Sequence, residues 1–150
     1  MSKRTLIAML IAAVAGFSVL YENEGRVIAP VSAPAAAAES IDKLTEQKRV
    51  VSYLQQHRRL PDYYITKKQA REQGWNSRKG DLCSVLPGKA IGGDYFSNRE
   101  RQLPTTNKRV WYEADINYQC GHRGSDRLLY SSDGLIFATN DHYKNFVRVE

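Results

Sequence analysis

The sequence is poor in the residues that build metal centres. Its 150 residues include two cysteines and three histidines, and no cluster of His, Cys and Asp has the spacing of metal ligands. Two cysteines without neighbouring histidines cannot form a structural zinc site. No phosphate-cradling glycine loop precedes a helical pattern, and no serine or cysteine has the setting of a nucleophile. Neither a metal nor a cofactor is therefore predicted.

A long membrane-spanning run is also missing. The apolar stretch from Leu6 to Leu20 has 15 residues, whereas a span needs about 20. Lys3 and Arg4 precede it, which is the order of a secretory signal. Residues 1–21 are therefore predicted to be a signal peptide or a retained N-terminal membrane anchor that tethers the protein through residues 6–20. A buried helix of the domain is the third interpretation.

The segment between this run and the predicted domain has a different composition. From Ala29 to Ser40 it is rich in alanine and proline and shows no periodicity. Residues 22–40 are therefore interpreted as a linker or a pro-segment, and residues 41–150 as one folded domain.

The whole net charge lies in the predicted domain. Residues 41–150 contain 19 Lys and Arg and 13 Asp and Glu, and the formal charge of the chain is +6. Such a charge favours RNA, DNA or an anionic membrane surface as a partner, although a solvated basic face is the commoner cause. Nine tyrosines can build a core or stack on bases.

Helical patterns open the domain. The apolar stripe that predicts the first helix consists of Leu44, Val50, Val51 and Leu54. Thr45 or Asp42 is the candidate cap of this helix. Thr66 and Gln69 match a capping box before a second short helix, and Asp81 is placed to cap a third.

Strand patterns follow. From Arg109 to Tyr118 apolar and polar residues alternate, which predicts a half-buried antiparallel strand with one polar face. Asp133-Gly134 between two apolar runs predicts a hairpin, and a last short strand is predicted through Phe146 and Val147. Helices followed by strands predict an α+β fold with the N-terminal helices packed on one face of an antiparallel sheet.

Polar residues of the strand half could cleave RNA. Glu113 lies on the polar strand face, Arg123 and Arg127 follow it, and His142 lies in a polar turn beside Tyr143. A carboxylate can remove the proton of a ribose 2′-OH, a histidinium can protonate the leaving 5′-oxygen, and arginines can balance the charge on the phosphorane. From spacing alone, such residues are more often a solvated strand face and a surface histidine.

The two cysteines allow one intrachain bond. Cys83 and Cys120 would close a loop of 37 residues. Export implies an oxidising compartment, and the loop-entropy model gives the bond about 3–4 kcal/mol. The alternative is two unrelated buried thiols. The bond is expected to stabilise the fold without entering the chemistry.

Short motifs in a fixed order, without a gap, cover most of the domain. They are Leu60-Pro61-Asp62, Tyr64-Ile65-Thr66-Lys67, Gly74-Trp75, Lys79-Gly80, Pro87-Gly88-Lys89, Ile91-Gly92-Gly93-Asp94, Phe96-Ser97-Asn98-Arg99-Glu100, Trp111, Glu113-Ala114-Asp115-Ile116-Asn117-Tyr118, Ser125-Asp126-Arg127, Leu129-Tyr130-Ser131-Ser132-Asp133 and Asp141-His142-Tyr143. Through these motifs the stretch from Tyr53 to about Val149 resembles the barnase-type, guanyl-preferring microbial ribonucleases. The resemblance implies N-terminal helices against a twisted antiparallel sheet.

The resemblance also implies roles for single residues. Glu113 matches the general base of the family and His142 the general acid. Arg123 and Arg127 match the phosphate-binding arginines. Lys67 matches a lysine that binds the scissile phosphate and stabilises its transition state.

The segment from Phe96 to Glu100 matches the guanine-binding loop, where backbone N–H groups and the glutamate carboxylate read the base. The predicted substrate-binding residues are Phe96, Ser97, Asn98, Arg99, Glu100 and Tyr143. The chain departs from the family pattern at His122, where the family has a phenylalanine near the base site, and at Gly134 and Arg58.

The sequence thus predicts a secreted or periplasmic endoribonuclease that works without metal. It is expected to cut single-stranded RNA 3′ to guanosine, as a monomer, through a 2′,3′-cyclic phosphate that is then hydrolysed. The resemblance adds a small acidic inhibitor of the barstar type as a partner. Two rivals remain: a non-catalytic RNA-binding module, and a surface-tethered or delivered RNase toxin with the same chemistry.

Overall fold

A computed structural model describes residues 39–150 of the chain. The predicted signal or anchor at residues 1–21 lies outside the described residues, and so does the predicted linker except Glu39 and Ser40. Within residues 39–150 no helix is both long enough and apolar enough to cross a bilayer.

Short helices occupy the first part of the described chain. They are α1 (Ile41–Leu44), α2 (Gln47–His57), α3 (Lys67–Glu72), a 3₁₀ turn (Ser77–Lys79) and α4 (Leu82–Val85). The single helix predicted around Val50 is therefore two helices, broken at Thr45 and Glu46.

The break is caused by Thr45, which is completely buried. Its hydroxyl donates to the carbonyl of Ile41 at 2.7 Å and accepts from the N–H of Tyr118 at 3.0 Å. Its carbonyl accepts from the N–H of Asn117 at 2.8 Å. The prediction of Thr45 or Asp42 as a helix cap is wrong, because Asp42 lies inside α1 and Thr45 ends it. Thr45 instead anchors the distant segment that begins at Asn117.

The capping box of α3 is confirmed. The Thr66 hydroxyl accepts from the N–H of Gln69 at 3.3 Å, and the Gln69 side chain accepts from the N–H of Thr66 at 3.2 Å. Lys67 is therefore the first residue of α3. Asp81 precedes α4, but its carboxylate accepts from the N–H of Asn76 at 3.0 Å instead of capping that helix.

Six strands of the described chain form one sheet in sequence order. They are β1 (Tyr64–Ile65), β2 (Ala90–Phe96), β3 (Trp111–Asp115), β4 (Arg127–Ser131), β5 (Ile136–Thr139) and β6 (Val147–Arg148). β1 and β2 are parallel, and all other neighbours are antiparallel. This architecture confirms the predicted α+β fold and the hairpin at Asp133-Gly134. The alternating strand is shorter than predicted, and β2 was not predicted from periodicity.

Both faces of the sheet are covered. On one face α2 buries Val50 and Leu54 against Leu128 and Ile136. On the other face, Leu103, Trp111 and Leu129 form a separate apolar cluster. The predicted solvent-facing polar side of β3 is consequently buried, with Glu113 only 6% and Asp115 only 2% exposed.

A bulge in β2 decides which side chains reach the second face. Gly92 pairs with Ala114, but the next paired residue, Asp94, lies opposite Glu113. Gly93 is the extra residue, and its φ of +99° is accessible mainly to glycine. Asp94 therefore lies beside Glu113 on the face that carries the candidate site.

Candidate active site

Glu113 is the central carboxylate of the candidate site. It lies in the middle of β3, and its Oε1 accepts from Lys67 Nζ at 3.2 Å while its Oε2 accepts from the Tyr143 hydroxyl at 3.0 Å. Lys67 reaches it from the first turn of α3, where its backbone N–H donates to Asp94 at 3.0 Å. The bulge of β2 and the capping box of α3 therefore both position the partner of Glu113.

Asp115, two residues along β3, holds the two predicted phosphate-binding arginines. Its oxygens accept from Arg123 Nε and Nη2, each at 2.7 Å. Arg127 Nε lies 3.0 Å from Asp115 Oδ1, in an ion pair that is misaligned for a hydrogen bond. Burial opposes the charge on Arg123, but the hydrogen bond and the negative charge of Asp115 outweigh it, so that the pKa of Arg123 is raised.

The arginine pair keeps donors free for a ligand. Arg127 Nη1 donates to the carbonyls of Gly124 and Asp126 at 2.7 and 2.9 Å. Arg123 Nη1 and Arg127 Nη2, in contrast, make no aligned hydrogen bond among residues 39–150, although the Arg127 guanidinium lies near the Tyr143 hydroxyl. Two guanidinium groups face one carboxylate here, so one positive charge is left over to attract a phosphate.

His142 lies in a strained turn. His142 and Tyr143 have φ values of +55° and +72°, a left-handed conformation that is uncommon outside glycine. Asp141 stabilises the turn: the Asn145 side chain and backbone N–H, followed by the Thr139 hydroxyl, lower the pKa of Asp141 to about 2. In this turn the His142 ring is exposed, and its centroid lies 4.8 Å from the centroid of the Tyr143 ring.

Tyr143 links the predicted guanine-binding loop, residues 96–100, to the carboxylate of Glu113. Its ring stacks on Phe96 with 5.4 Å between centroids, and its hydroxyl donates to Glu113. Burial and the neighbouring charge of Glu113 raise the pKa of Tyr143 to about 12, against the opposing effect of Arg127. Tyr143, predicted as a substrate-binding residue, therefore also orients the carboxylate as a hydrogen-bond donor.

Asn98 closes the predicted guanine-binding loop. The Asn98 side chain donates to the carbonyl of Leu103 at 2.9 Å and accepts from its N–H at 3.1 Å. Because this amide is occupied, Asn98 can offer a base only its backbone. The N–H groups of Asn98, Arg99 and Glu100 have no acceptor within the described residues. The side chains of Ser97, Arg99 and Glu100 are exposed.

Two open cavities meet at His142. The first, about 590 Å³, is lined by all six predicted substrate-binding residues. The second, about 490 Å³, is lined by Arg123, Arg127 and His122 together with Trp75 and the segment near Gly80. Of the described residues, His142 alone lines both. We call them the loop cavity and the arginine cavity. His122, expected near the base site, lies in the arginine cavity instead.

The structure brings the predicted catalytic residues onto one face of the sheet and adds two carboxylates that sequence reasoning missed. Asp115 appeared in a family motif without a role, although its spacing from Glu113 puts both on the same strand face. Asp94 gave no such signal, because its orientation depends on the bulge. No group of three His, Cys, Asp or Glu side chains in residues 39–150 could hold a metal ion.

The predicted disulfide is confirmed. Cys83 in α4 is bonded to Cys120, with 5.6 Å between their Cα atoms. The bond joins the helical half of the described chain to the loop that carries Arg123. The alternative of two unrelated thiols is therefore wrong.

Comparison with known proteins identifies the family. A family profile described as ribonuclease matches residues 30–150. The chain belongs to the ribonuclease family. A ribonuclease of Heyndrickxia coagulans is 58% identical over 100 residues, which cover 67% of this chain and 92% of the relative. Ribonucleases of Bacillus intermedius and Bacillus pumilus are also 58% identical over 100 residues, which cover 67% of this chain but only 62% of each relative.

These matches confirm the resemblance to the barnase-type microbial ribonucleases. The ribonuclease fold of this chain is the one implied by that resemblance, with helices first and the candidate site on the antiparallel sheet. Expectations about guanine preference, catalytic roles, export and an inhibitor go beyond membership in the family.

Proposed function

We propose that this ribonuclease cleaves single-stranded RNA on the 3′ side of guanosine, by transphosphorylation to a 2′,3′-cyclic phosphate and then hydrolysis. The observation that carries the proposal is the arrangement around Glu113: a carboxylate held by Lys67 and Tyr143, beside two arginines with free donors and an exposed histidine.

The cavities give the RNA a path. Guanine would occupy the loop cavity, the scissile phosphate would lie at His142 and the arginines, and the leaving nucleotide would extend into the arginine cavity. A duplex could not place its bases in the loop cavity without unpairing, which favours single strands.

Position and charge support the acid–base roles that the family resemblance implies. Ionised Glu113 takes the 2′-OH proton, and protonated His142, exposed at the junction of the cavities, gives a proton to the leaving 5′-oxygen. Arg123 Nη1 and Arg127 Nη2 donate to the phosphorane oxygens as negative charge grows there. Hydrolysis of the cyclic phosphate reverses the roles, so that His142 then acts as the base.

Guanine is the base whose edge the loop fits. It presents N1–H and N2–H₂ as adjacent donors, which a carboxylate such as Glu100 can accept together. The unoccupied N–H groups of the loop can donate to guanine O6. Adenine has an acceptor at N1 and an amino group at position 6, and it would leave these groups unpaired at about 1–3 kcal/mol each.

The test of the chemistry uses the full chain with Glu113→Gln and His142→Ala, and with Glu72→Gln as a control on the exposed side of α3. Each site variant should lose about 10²–10⁴-fold in cleavage of RNA, while the control retains wild-type turnover. Wild-type cleavage should persist in a chelator. Near-wild-type turnover in both site variants would refute the mechanism, and a folded wild type that binds RNA without cutting it would favour the non-catalytic module.

The test of base preference uses the dinucleotides GpN, ApN, UpN and CpN. Wild type should prefer GpN and release guanosine 2′,3′-cyclic phosphate first. Glu100→Gln should reduce GpN cleavage most, whereas Glu72→Gln should leave the preference unchanged. Equal wild-type rates on GpN and UpN would exclude a guanine site in the loop.

A further inference from the structure

The arginine cavity has two walls from distant parts of the chain. One wall is the segment that contains Trp75, Ser77 and Gly80, between α3 and α4. The other is the loop from Gly121 to Ser125 that leads into β4. The width of the cavity therefore depends on contacts between these two segments.

Few links join the walls directly. Cys83 and Cys120 are covalently bonded, and the Nε2 atom of His122 lies 3.0 Å from the carbonyl oxygen of Arg78. Among the described residues no other side-chain hydrogen bond connects them. The walls also touch: a Cβ atom on Gly80 would lie 2.9 Å from the backbone nitrogen of His122. The loop thus lies flush against the first wall where the bond holds it.

Residues 119–122, at the start of the second wall, have little else to fix their conformation, whereas Ser125 further along is held by hydrogen bonds with Asn140 and His142. Residues 119–122 are exposed and have no regular secondary structure. Cys120 and Gly121 both have positive φ values, and the hydrogen bond from Tyr118 to Gly121 is local to the loop. A short exposed segment of this kind gains little from burial, so its order depends on its cross-links.

The cavity makes this order relevant to the reaction, because Gly121 and His122 line the space proposed for the leaving nucleotide. Arg123 itself is held by Asp115: Nε and Nη2 are both bonded and the guanidinium is planar, so this pair fixes the direction of Nη1. A substrate displaced by about 1 Å from its reactive position can react about 100-fold more slowly.

We propose that the Cys83–Cys120 bond sets the width of the arginine cavity, so that full turnover requires the oxidised protein. The inference rests on the proposed function, and it goes beyond a bond that only stabilises the fold. A dithiol would reduce the bond with two electrons, giving two cysteine thiols and the cyclic disulfide of the reductant. Oxidation would reverse the change.

The test compares the full chain in three forms: oxidised, reduced with dithiothreitol under native conditions, and Cys83→Ser/Cys120→Ser. The substrate is an RNA oligonucleotide with one guanosine. Loss of the bond should lower kcat/KM by about 10–100-fold. Guanosine affinity should change less than twofold, because Asn98 and Leu103 close the base loop independently. Reoxidation should restore turnover in wild type but not in the double-serine variant.

Controls separate positioning from stability. All assays are run at a temperature where circular dichroism shows each form folded, and Val51→Ala supplies a destabilised protein with an intact bond, which should keep its turnover. His122→Ala should reduce kcat/KM modestly in the bonded protein and several-fold more in the double-serine variant, since it removes the remaining polar link.

The outcomes are distinct. Equal kcat/KM in folded oxidised and reduced protein would overturn the inference and leave the proposed function standing. The inference would also be overturned if His122→Ala lowered kcat/KM by the same factor with and without the bond. If the oxidised protein cleaved no RNA, the proposed function itself would fail. If the double-serine variant did not fold, the comparison of oxidised and natively reduced wild type would still decide.

Discussion

Removing the carboxylate of Asp115 tests the electrostatic design of the site. In Asp115→Asn two guanidinium groups would face each other without the charge that now lies between them. The side chains of Asp115 and Arg127 are only 3% and 4% exposed, and that of Arg123 is 20% exposed. Water therefore cannot solvate the unpaired charge of Arg127 in the variant. Removal of one partner of such a buried ion pair lowers the free energy of unfolding by about 3–5 kcal/mol.

The assay is urea unfolding of wild type and variant, with the slope of the transition compared between them. Since the slope reports the surface exposed on unfolding, an unchanged slope allows the midpoint shift to be read as a loss of stability. Asp62→Asn is the matched control. Asp62 also pairs with an arginine, Arg59 at 3.0 Å, but its side chain is 90% exposed, so its loss should be near zero.

A double variant separates a repelled charge from a lost contact. In Asp115→Asn/Arg127→Met the more deeply buried guanidinium is gone and only Arg123, which is 20% exposed, remains without its carboxylate. The combined loss should therefore be smaller than the sum of the two single losses by at least about 1 kcal/mol. A loss in Asp115→Asn as small as that of Asp62→Asn would refute the reasoning, and strict additivity in the double variant would refute its electrostatic part.

Three further outcomes are expected. Hydrogen bonds from Arg109 and then Ser131 lower the pKa of Asp133 from 3.8 to about 2. In urea unfolding, wild type should therefore be more stable than Asp133→Asn above about pH 4, and this difference in the free energy of unfolding should vanish as the pH falls to 2. The pKa of Tyr143 is raised from 10 to about 12, so its contribution should be full below pH 10 and lost between pH 10 and 12, a loss that Tyr143→Phe should not show. If an acidic barstar-type protein blocks the site, its association rate in stopped flow should fall with added salt and with Arg99→Ala, and a rate indifferent to salt would argue against it.

Much of the fold could be predicted from local patterns. The capping box at Thr66 and the hairpin at Asp133 depend on residues close in sequence, and both form where predicted. Thr45 was misassigned because its partners, Asn117 and Tyr118, are more than 70 residues away. A hydroxyl that caps a helix and one that anchors a distant segment of the chain look the same in a sequence.

The candidate site shows the same division. Motif positions selected Glu113, Lys67 and His142, and the structure brings Lys67 to the carboxylate. The hydrogen bond from Tyr143 to Glu113 could not be predicted, since the hydroxyl lies near Glu113 only because Tyr143 adopts a left-handed backbone conformation. Periodicity predicts that the polar face of β3 is exposed to solvent. It does not reveal that Lys67 and Tyr143 contact Glu113 and that two arginines contact Asp115.

The bulge at Gly93 makes this position of β2 more sensitive to substitution than to deletion. It reverses the alternation of the strand, so that Asp94 and Phe96 face the catalytic side while Tyr95 lies opposite, 66% exposed. Loss of Gly93 alone would leave a regular strand in which Asp94 and Phe96 keep their partners on β3 and therefore their face. A side chain at position 93 would instead oppose the φ of +99°, and a strand that became regular with its number of residues unchanged would turn Asp94 away from Lys67 and Phe96 away from Tyr143. Among relatives, position 93 should therefore be a glycine or be absent.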